Sequence, residues 1–220
     1  MKIITIENPI EYHVDGIVQT QVDVKKGYTF LSGLRAALRQ DPDVIMVGEI
    51  RDSETASIAA NSALTGHLVL STIHTNSAAG GITRLIDMGV EDYLLTSTIN
   101  GLLAQRLTRR LDKSSMEKYP VMPEMVEELK LNEISDEKEF HFYRPKPSEE
   151  NPTGYGGRLS ILECLTMTEE IRRLVMKGAT AGELQRQAQA EGMLTMYQDG
   201  LLKCMVGDTS FEEVIRVSHE

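Results

Sequence analysis

Three short, unbroken and largely β-branched runs, at residues 2–6, 44–47 and 68–72, constrain the fold more than any other feature of these 220 residues. A strand with one face in water alternates apolar and polar side chains, whereas a strand covered on both faces is apolar throughout. Stretches with helical spacing lie between the runs. Leu31, Leu34 and Leu38 share a face within 30–39, the stretch 53–64 is alanine-rich around Ile58, and 78–88 carries Ile82, Leu85 and Ile86. Helical spacing then continues through 90–107. Covered strands alternating with helices predict an α/β domain built on a parallel sheet.

The charge is unevenly distributed. Lys and Arg number 23 against 33 Asp and Glu, a net charge of −10, which argues against a chain that coats nucleic acid or anionic lipid. Half of the excess falls within 112–150, which holds 11 acidic and 6 basic side chains. Five of the seven prolines (Pro120, Pro123, Pro145, Pro147, Pro152) lie there or just beyond, and no glycine occurs between Gly101 and Gly154. The segment reads as an acidic, proline-rich surface insertion, either with a short helix near 123–131 or as a partly disordered linker. Beyond it, 158–165 reads as a strand and the remainder as four short helices. Each helix is announced by a Ser/Thr-x-x-Glu/Gln box: Thr166 with Glu169, Thr180 with Glu183, Thr195 with Gln198 and Ser210 with Glu213. The expected division is therefore 1–111, 112–157 and 158–220. Two cysteines, Cys164 and Cys204, make neither a disulfide framework nor a four-thiolate zinc site, which fits a reducing, cytoplasmic compartment. Residues 3–6 run at once into Glu7 and no apolar stretch reaches membrane-spanning length, so any membrane association is expected to pass through a partner protein.

The chemistry-bearing side chains gather where the apolar runs end. The segment Arg39-Gln40-Asp41-Pro42-Asp43-Val44-Ile45-Met46-Val47-Gly48-Glu49-Ile50-Arg51-Asp52 delivers Glu49 at the carboxyl end of a strand, where open α/β sheets bind ligands. A carboxylate there can orient the water that attacks a γ-phosphate, or hold magnesium indirectly. It can equally be an ordinary acid flanking the next helix, with Asp52, favoured by the macrodipole. Glu7, in Glu7-Asn8-Pro9-Ile10-Glu11-Tyr12, and His74 should stand at the same edge as Glu49. His67 precedes its strand, so the two histidines occupy opposite ends and cannot pair as ligands on one helix face. Such a group suits phosphate or magnesium work better than zinc. The phosphate-cradling pattern G-x-x-x-x-G-K-[ST] has no match, because Gly-Lys never occurs in the chain; the 220 residues read as the second half of a motor domain.

At these residues the sequence resembles the type II secretion and type IV pilus assembly ATPases, a branch of the RecA-like hexameric secretion motors. Thr5 to Tyr12 is similar to that family's Asp box, residues 34–52 to its Walker B region, and 65–78 to its His box. The likeness continues through Thr83-Arg84-Leu85-Ile86-Asp87-Met88-Gly89-Val90, Leu103-Ala104-Gln105-Arg106-Leu107 and Gly154-Tyr155-Gly156-Gly157-Arg158. The resemblance implies a partial RecA-like P-loop NTPase domain, holding the later strands without the phosphate loop, followed by a helical module. It implies Glu49 as the catalytic glutamate, Glu7 as support for magnesium or water, and His67 and His74 as residues that contact or sense the nucleotide. ATP with magnesium, a hexamer of like subunits and an inner-membrane platform protein are the implied cofactors and partners, at a cytoplasmic, membrane-peripheral location. Arg51 either links the γ-phosphate state to subunit movement or makes a salt bridge to Asp52, Glu54 or Asp43. Arg106, Arg109 and Arg110 serve a subunit interface or the nucleotide, or simply end a helix in solvent. Asn8 stands where the family usually has Asp, and no cysteine occupies 112–152, where many relatives carry a zinc element, so no zinc is expected. Without the upstream half the chain should be inactive. The rival readings are a scaffold module and a pilus retraction motor. The truncated sheet is expected to leave an apolar face exposed.

Overall fold

The computed structural model describes residues 1–218. In chain order its elements are β1 (Ile3–Glu7), β2 (Val18–Gln21), α1 (Phe30–Leu38), β3 (Val44–Val47), α2 (Ser53–Leu64), β4 (Leu68–Ser71), α3 (Ala78–Asp87), α4 (Asp92–Thr98), β5 (Gly101–Leu111), β6 (Met116–Pro120), α5 (Pro123–Glu128), β7 (His141–Pro145), β8 (Tyr155–Thr166), α6 (Glu169–Met176), α7 (Ala181–Ala190), α8 (Met196–Met205) and α9 (Phe211–Ser218). They divide into two units, residues 1–102 with 166–188, and residues 103–165 with 189–220.

The first unit is the expected α/β layer. Its sheet runs β2-β1-β3-β4, all parallel, with Ile6 beside Val47 and Val47 beside Ser71. Ile4, Ile6, Ile45 and Val47 are buried with Leu34 of α1, Ala56 and Ala59 of α2 and Leu94 and Leu95 of α4. The third apolar run departs from expectation. It forms β4 but lies at the sheet edge, where Leu68 and Leu70 stay half exposed. A run of this kind reports a strand made to be covered; the cover is what this edge lacks. The segment 90–107 also departs: helix ends at Thr98 and the rest is strand β5. Leu103, Leu107 and Leu111 recur every four residues, which is nearly one helical turn and also two full strand repeats, so the spacing alone decides nothing. β2 was not anticipated, although Val18-Gln19-Thr20-Gln21-Val22 alternates.

The second unit corrects the reading of the acidic segment. It is neither a surface excursion nor a linker, because β6 and β7 pair antiparallel and Val121, Leu131, Phe140 and Phe142 share a core with Leu201, Cys204 and Val214. Phe142 is fully buried, stacks on Phe211 at 5.6 Å and meets Tyr119 edge-on at 6.4 Å. The acidic side chains cover the outside of a folded piece. α5 falls where the short helix was expected, with Pro123 at its start.

Four helices do follow the insertion. Thr180 with Glu183 and Thr195 with Gln198 form reciprocal boxes. The first helix is capped by Thr168, not Thr166. At α9, Ser210 accepts from the Glu213 N–H, but the Glu213 carboxylate turns inward and accepts from the Arg109 backbone N–H, the Arg109 guanidinium and Arg216 at 2.7–3.1 Å. Burial pushes its pKa up, yet the hydrogen bonds from Arg216 and Arg109 outweigh it and hold the carboxyl down at about 2. Arg109 therefore lies on a strand and not at a helix end, tied to Glu213 and stacked on Tyr155 at 4.2 Å. Both cysteines are free; Cys204 is buried, which raises its thiol pKa.

Truncating Phe142→Ala should cost about 3–5 kcal/mol of unfolding free energy, as for other buried aromatics. Denaturant melts check this, and a linker reading of 112–150 expects no measurable loss.

Candidate functional site

Parallel strands end together, and the carboxyl ends of β1, β3 and β4 deliver Glu7, Glu49 and His74 to one edge of the sheet. The ladder continues past the strands. Gly48 N–H donates to Ile6 O at 2.8 Å, Ile50 N–H donates to Thr72 O at 2.9 Å, and Thr72 Oγ1 donates to Gly48 O at 2.6 Å. The backbone on both sides of Glu49 is thus pinned to both neighbouring strands. Gly48 permits this close approach, since a Cβ there would stand 3.1 Å from Ile6 O.

Glu49 keeps only 14% of its side-chain exposure. Arg51 Nη2 donates to its Oε1 at 2.5 Å, and His74 Nε2 lies 3.1 Å from its Oε2. An ionised carboxylate only accepts, so the His74 Nε2 carries the proton in this pair. The hydrogen bond from Arg51 lowers the Glu49 pKa; burial opposes it and the His74 hydrogen bond assists. Glu49 is thereby kept as the anion, with both oxygens oriented.

The two readings of the Glu49 region separate cleanly in space. Asp52 is the helix acid: it caps α2, accepting from Thr55 N–H at 2.8 Å and from Thr55 Oγ1 at 3.1 Å. Glu49 takes no part in that cap. Nor does Arg51 bond to the acids expected of a structural pair, since Glu54 is held by Arg35 and Asp43 by Lys2 and the N-terminus. It turns back to Glu49.

Glu7 is half-buried, and its Oε1 accepts from Thr5 Oγ1 at 2.5 Å and from Gln19 Nε2 at 3.0 Å. Gln19 had no sequence signal beyond the unanticipated alternation of β2. His67 lies at the opposite end of β4, its Nδ1 3.0 Å from Ser62 O and 3.3 Å from Thr65 Oγ1. The structure thus joins His74 to Glu49 and keeps His67 away from both.

Among the described residues no group of three or more His, Cys, Asp or Glu is placed to hold a metal. A dedicated cage is not what this edge offers. Hard oxygen donors on one or two carboxylates, sharing an ion with substrate phosphates, are the ordinary surroundings of magnesium, and Glu7 and Glu49 fit that pattern.

The family model described as "Type II/IV secretion system protein" matches residues 1–216. "Type II secretion system protein E" of Xanthomonas campestris pv. campestris is 56% identical over 220 residues, which cover all of this chain and 39% of that relative. "Type IV pilus assembly ATPase PilB" of Thermus thermophilus is 47% identical over 212 residues, covering 96% of this chain and 24% of the relative. Among solved structures, the pilus retraction motor PilT with bound ADP matches with a TM-score of 0.69 at 29% identity, covering all of this chain and 53% of that one.

Replacing Arg51→Ala should move the Glu49 pKa up toward the ordinary carboxylate value of 4.5, measurable by carbon-13 NMR titration. A depressed carboxylate contributes stability that is present above its unfolded pKa and lost as pH falls through its folded one. The stability gap between wild type and Arg51→Ala should therefore be widest near neutrality and close in acid. A gap independent of pH would mean the pair contributes nothing.

Proposed function

This chain belongs to the Type II/IV secretion system protein family, and from that membership we propose that it is the catalytic-glutamate portion of a motor ATPase driving type II secretion or type IV pilus assembly. The observation that carries the reading is the Arg51–Glu49–His74 arrangement at the carboxyl edge of a parallel sheet. No fold requirement asks for a carboxylate held by two side-chain donors when Asp52 already caps the helix.

The chain spans well under half the length of the curated relatives it matches, and the phosphate-binding pattern is not among its residues. Glu49 orients the attacking water and accepts its proton; each of its oxygens has a second lone pair beyond the bonds from Arg51 and His74. His74 senses the nucleotide state through the same bond, and Arg51 carries that state toward a neighbouring subunit. Glu7 holds magnesium or a water with its Oε2, which no hydrogen bond engages among the described residues. Magnesium bound with ATP supplies charge neutralisation of the phosphates. In the complete protein, hydrolysis within a hexamer would drive an inner-membrane platform protein. A cytoplasmic, membrane-peripheral placing belongs to the same reading; among the described residues no helix is long and apolar enough to cross a membrane.

In the complete motor, Glu49→Gln should lower the rate of ATP hydrolysis about 10²–10⁴-fold while leaving nucleotide binding in place, as expected on losing a general base. Hydrolysis within a few-fold of wild type would refute the assignment. The 220-residue chain alone should turn over ATP no faster than its own Glu49→Gln variant.

A further inference from the structure

Among the side chains that the proposed reaction leaves without a role, Gln19 is the one whose amide bonds directly to Glu7. Thr5 and Glu7 are two residues apart on β1 and so share a face. Gln19 pairs with Thr5 across the parallel ladder of β1 and β2, which sets its side chain on that same face. One Gln19 N–H donates to Glu7 Oε1 at 3.0 Å and the other to Tyr12 O at 2.9 Å, while Gln19 Oε1 accepts from Val14 N–H at 2.7 Å. Val14 N–H can only donate, so it must face the amide oxygen, and that fixes which end of the amide meets Glu7. Gln21, opposite Glu7, adds a longer bond by accepting from Ile10 N–H at 3.3 Å.

These bonds tie two things together. One is the carboxylate. The other is the loop 8–17, whose tip is open to solvent, with Tyr12 81% and Val14 49% exposed. Both Thr5 and Gln19 bond to Oε1, so the carboxylate plane is set while Oε2 is left for a ligand. We propose that Gln19 is the positioning residue of Glu7 and a clip that couples the exposed loop 8–17 to the carboxylate. Whatever draws on Glu7 then acts on the loop, and whatever moves the loop acts equally on Glu7, because coupling between sites is reciprocal. For its catalytic consequence the clip rests on the reading of Glu7 as a ligand-bearing carboxylate; its geometry does not.

The 220-residue chain and the complete motor test these two parts separately. In the chain, Gln19→Leu should speed amide exchange at Val14 roughly tenfold, as for a surface-loop amide losing its acceptor, and shift the Glu7 carboxyl carbon signal. Gln19→Glu loses both donors and sets a carboxylate oxygen against Glu7 Oε1 and Tyr12 O, so it should shift the Glu7 signal further than Gln19→Leu does. A Glu7 signal unchanged in both variants overturns the proposal. In the motor, Gln19→Leu should lower kcat about 10–100-fold, the usual effect of removing a residue that orients a ligand-bearing side chain, with KM for ATP little changed. Combined with Glu7→Gln it should add no further loss, and independent, additive losses overturn the proposal. If Glu7→Gln alone leaves kcat unchanged, the catalytic reading of Glu7 fails, and the shifted signal with faster Val14 exchange still upholds the clip.

Discussion

Hydrogen bonding between parallel strands fixes where every reactive group in the first unit can stand. Because β1, β3 and β4 run the same way in register, the residues that follow them emerge at one edge, whatever the loops do next. The bonds among Gly48, Ile50, Ile6 and Thr72 extend that ladder past the ends of β3 and β4. A side chain mounted there is held by the sheet on both sides, which suits a base that must sit within a few tenths of an ångström of its water. Loss of the small residue at 48 would push the first of these contacts apart.

The site reuses short sequence separations for opposite purposes. Asp52 and Thr55 are three residues apart and make a helix cap; Glu49 and Arg51 are two apart and make a directed ion pair outside that cap. The same logic holds on β1, where Thr5 and Glu7 meet because a strand repeats every second residue. Local geometry makes such pairs inexpensive to order, so a few adjacent residues can orient a carboxylate without a large supporting shell.

Much of this was legible before any coordinates. The strands β1, β3 and β4, the helices between them, and the meeting of Glu49 with His74 follow from unbroken apolar runs and from where a parallel sheet puts its carboxyl ends. Two boxes, at Thr180 and Thr195, behaved as their spacing implied because both partners lie within one turn. What escaped depended on distant partners. Glu213 looked like the far side of a cap, but Arg109, more than a hundred residues earlier, claims its carboxylate. The core of the second unit joins Phe140 and Phe142 to Leu201 and Val214, and no local period announces such a pairing. Gln19 was missed for the opposite reason: a short polar alternation is too common to single out.

The folded state of the acidic segment changes how the chain should break. Charge, prolines and surface position would mark 112–150 as a place where a protease cuts and leaves two intact halves. Its strands instead hold Phe142 against Phe211, so a nick within β6 or β7 would open a hydrophobic interior and unravel α8 and α9 with it. Cleavage that leaves the fold standing belongs in the exposed turn around Ser148 to Thr153, where side chains from Ser148 and Asn151 bond mainly to their own neighbours. The durable unit of this half of the molecule is therefore the insertion together with its last two helices, which stand or unfold together.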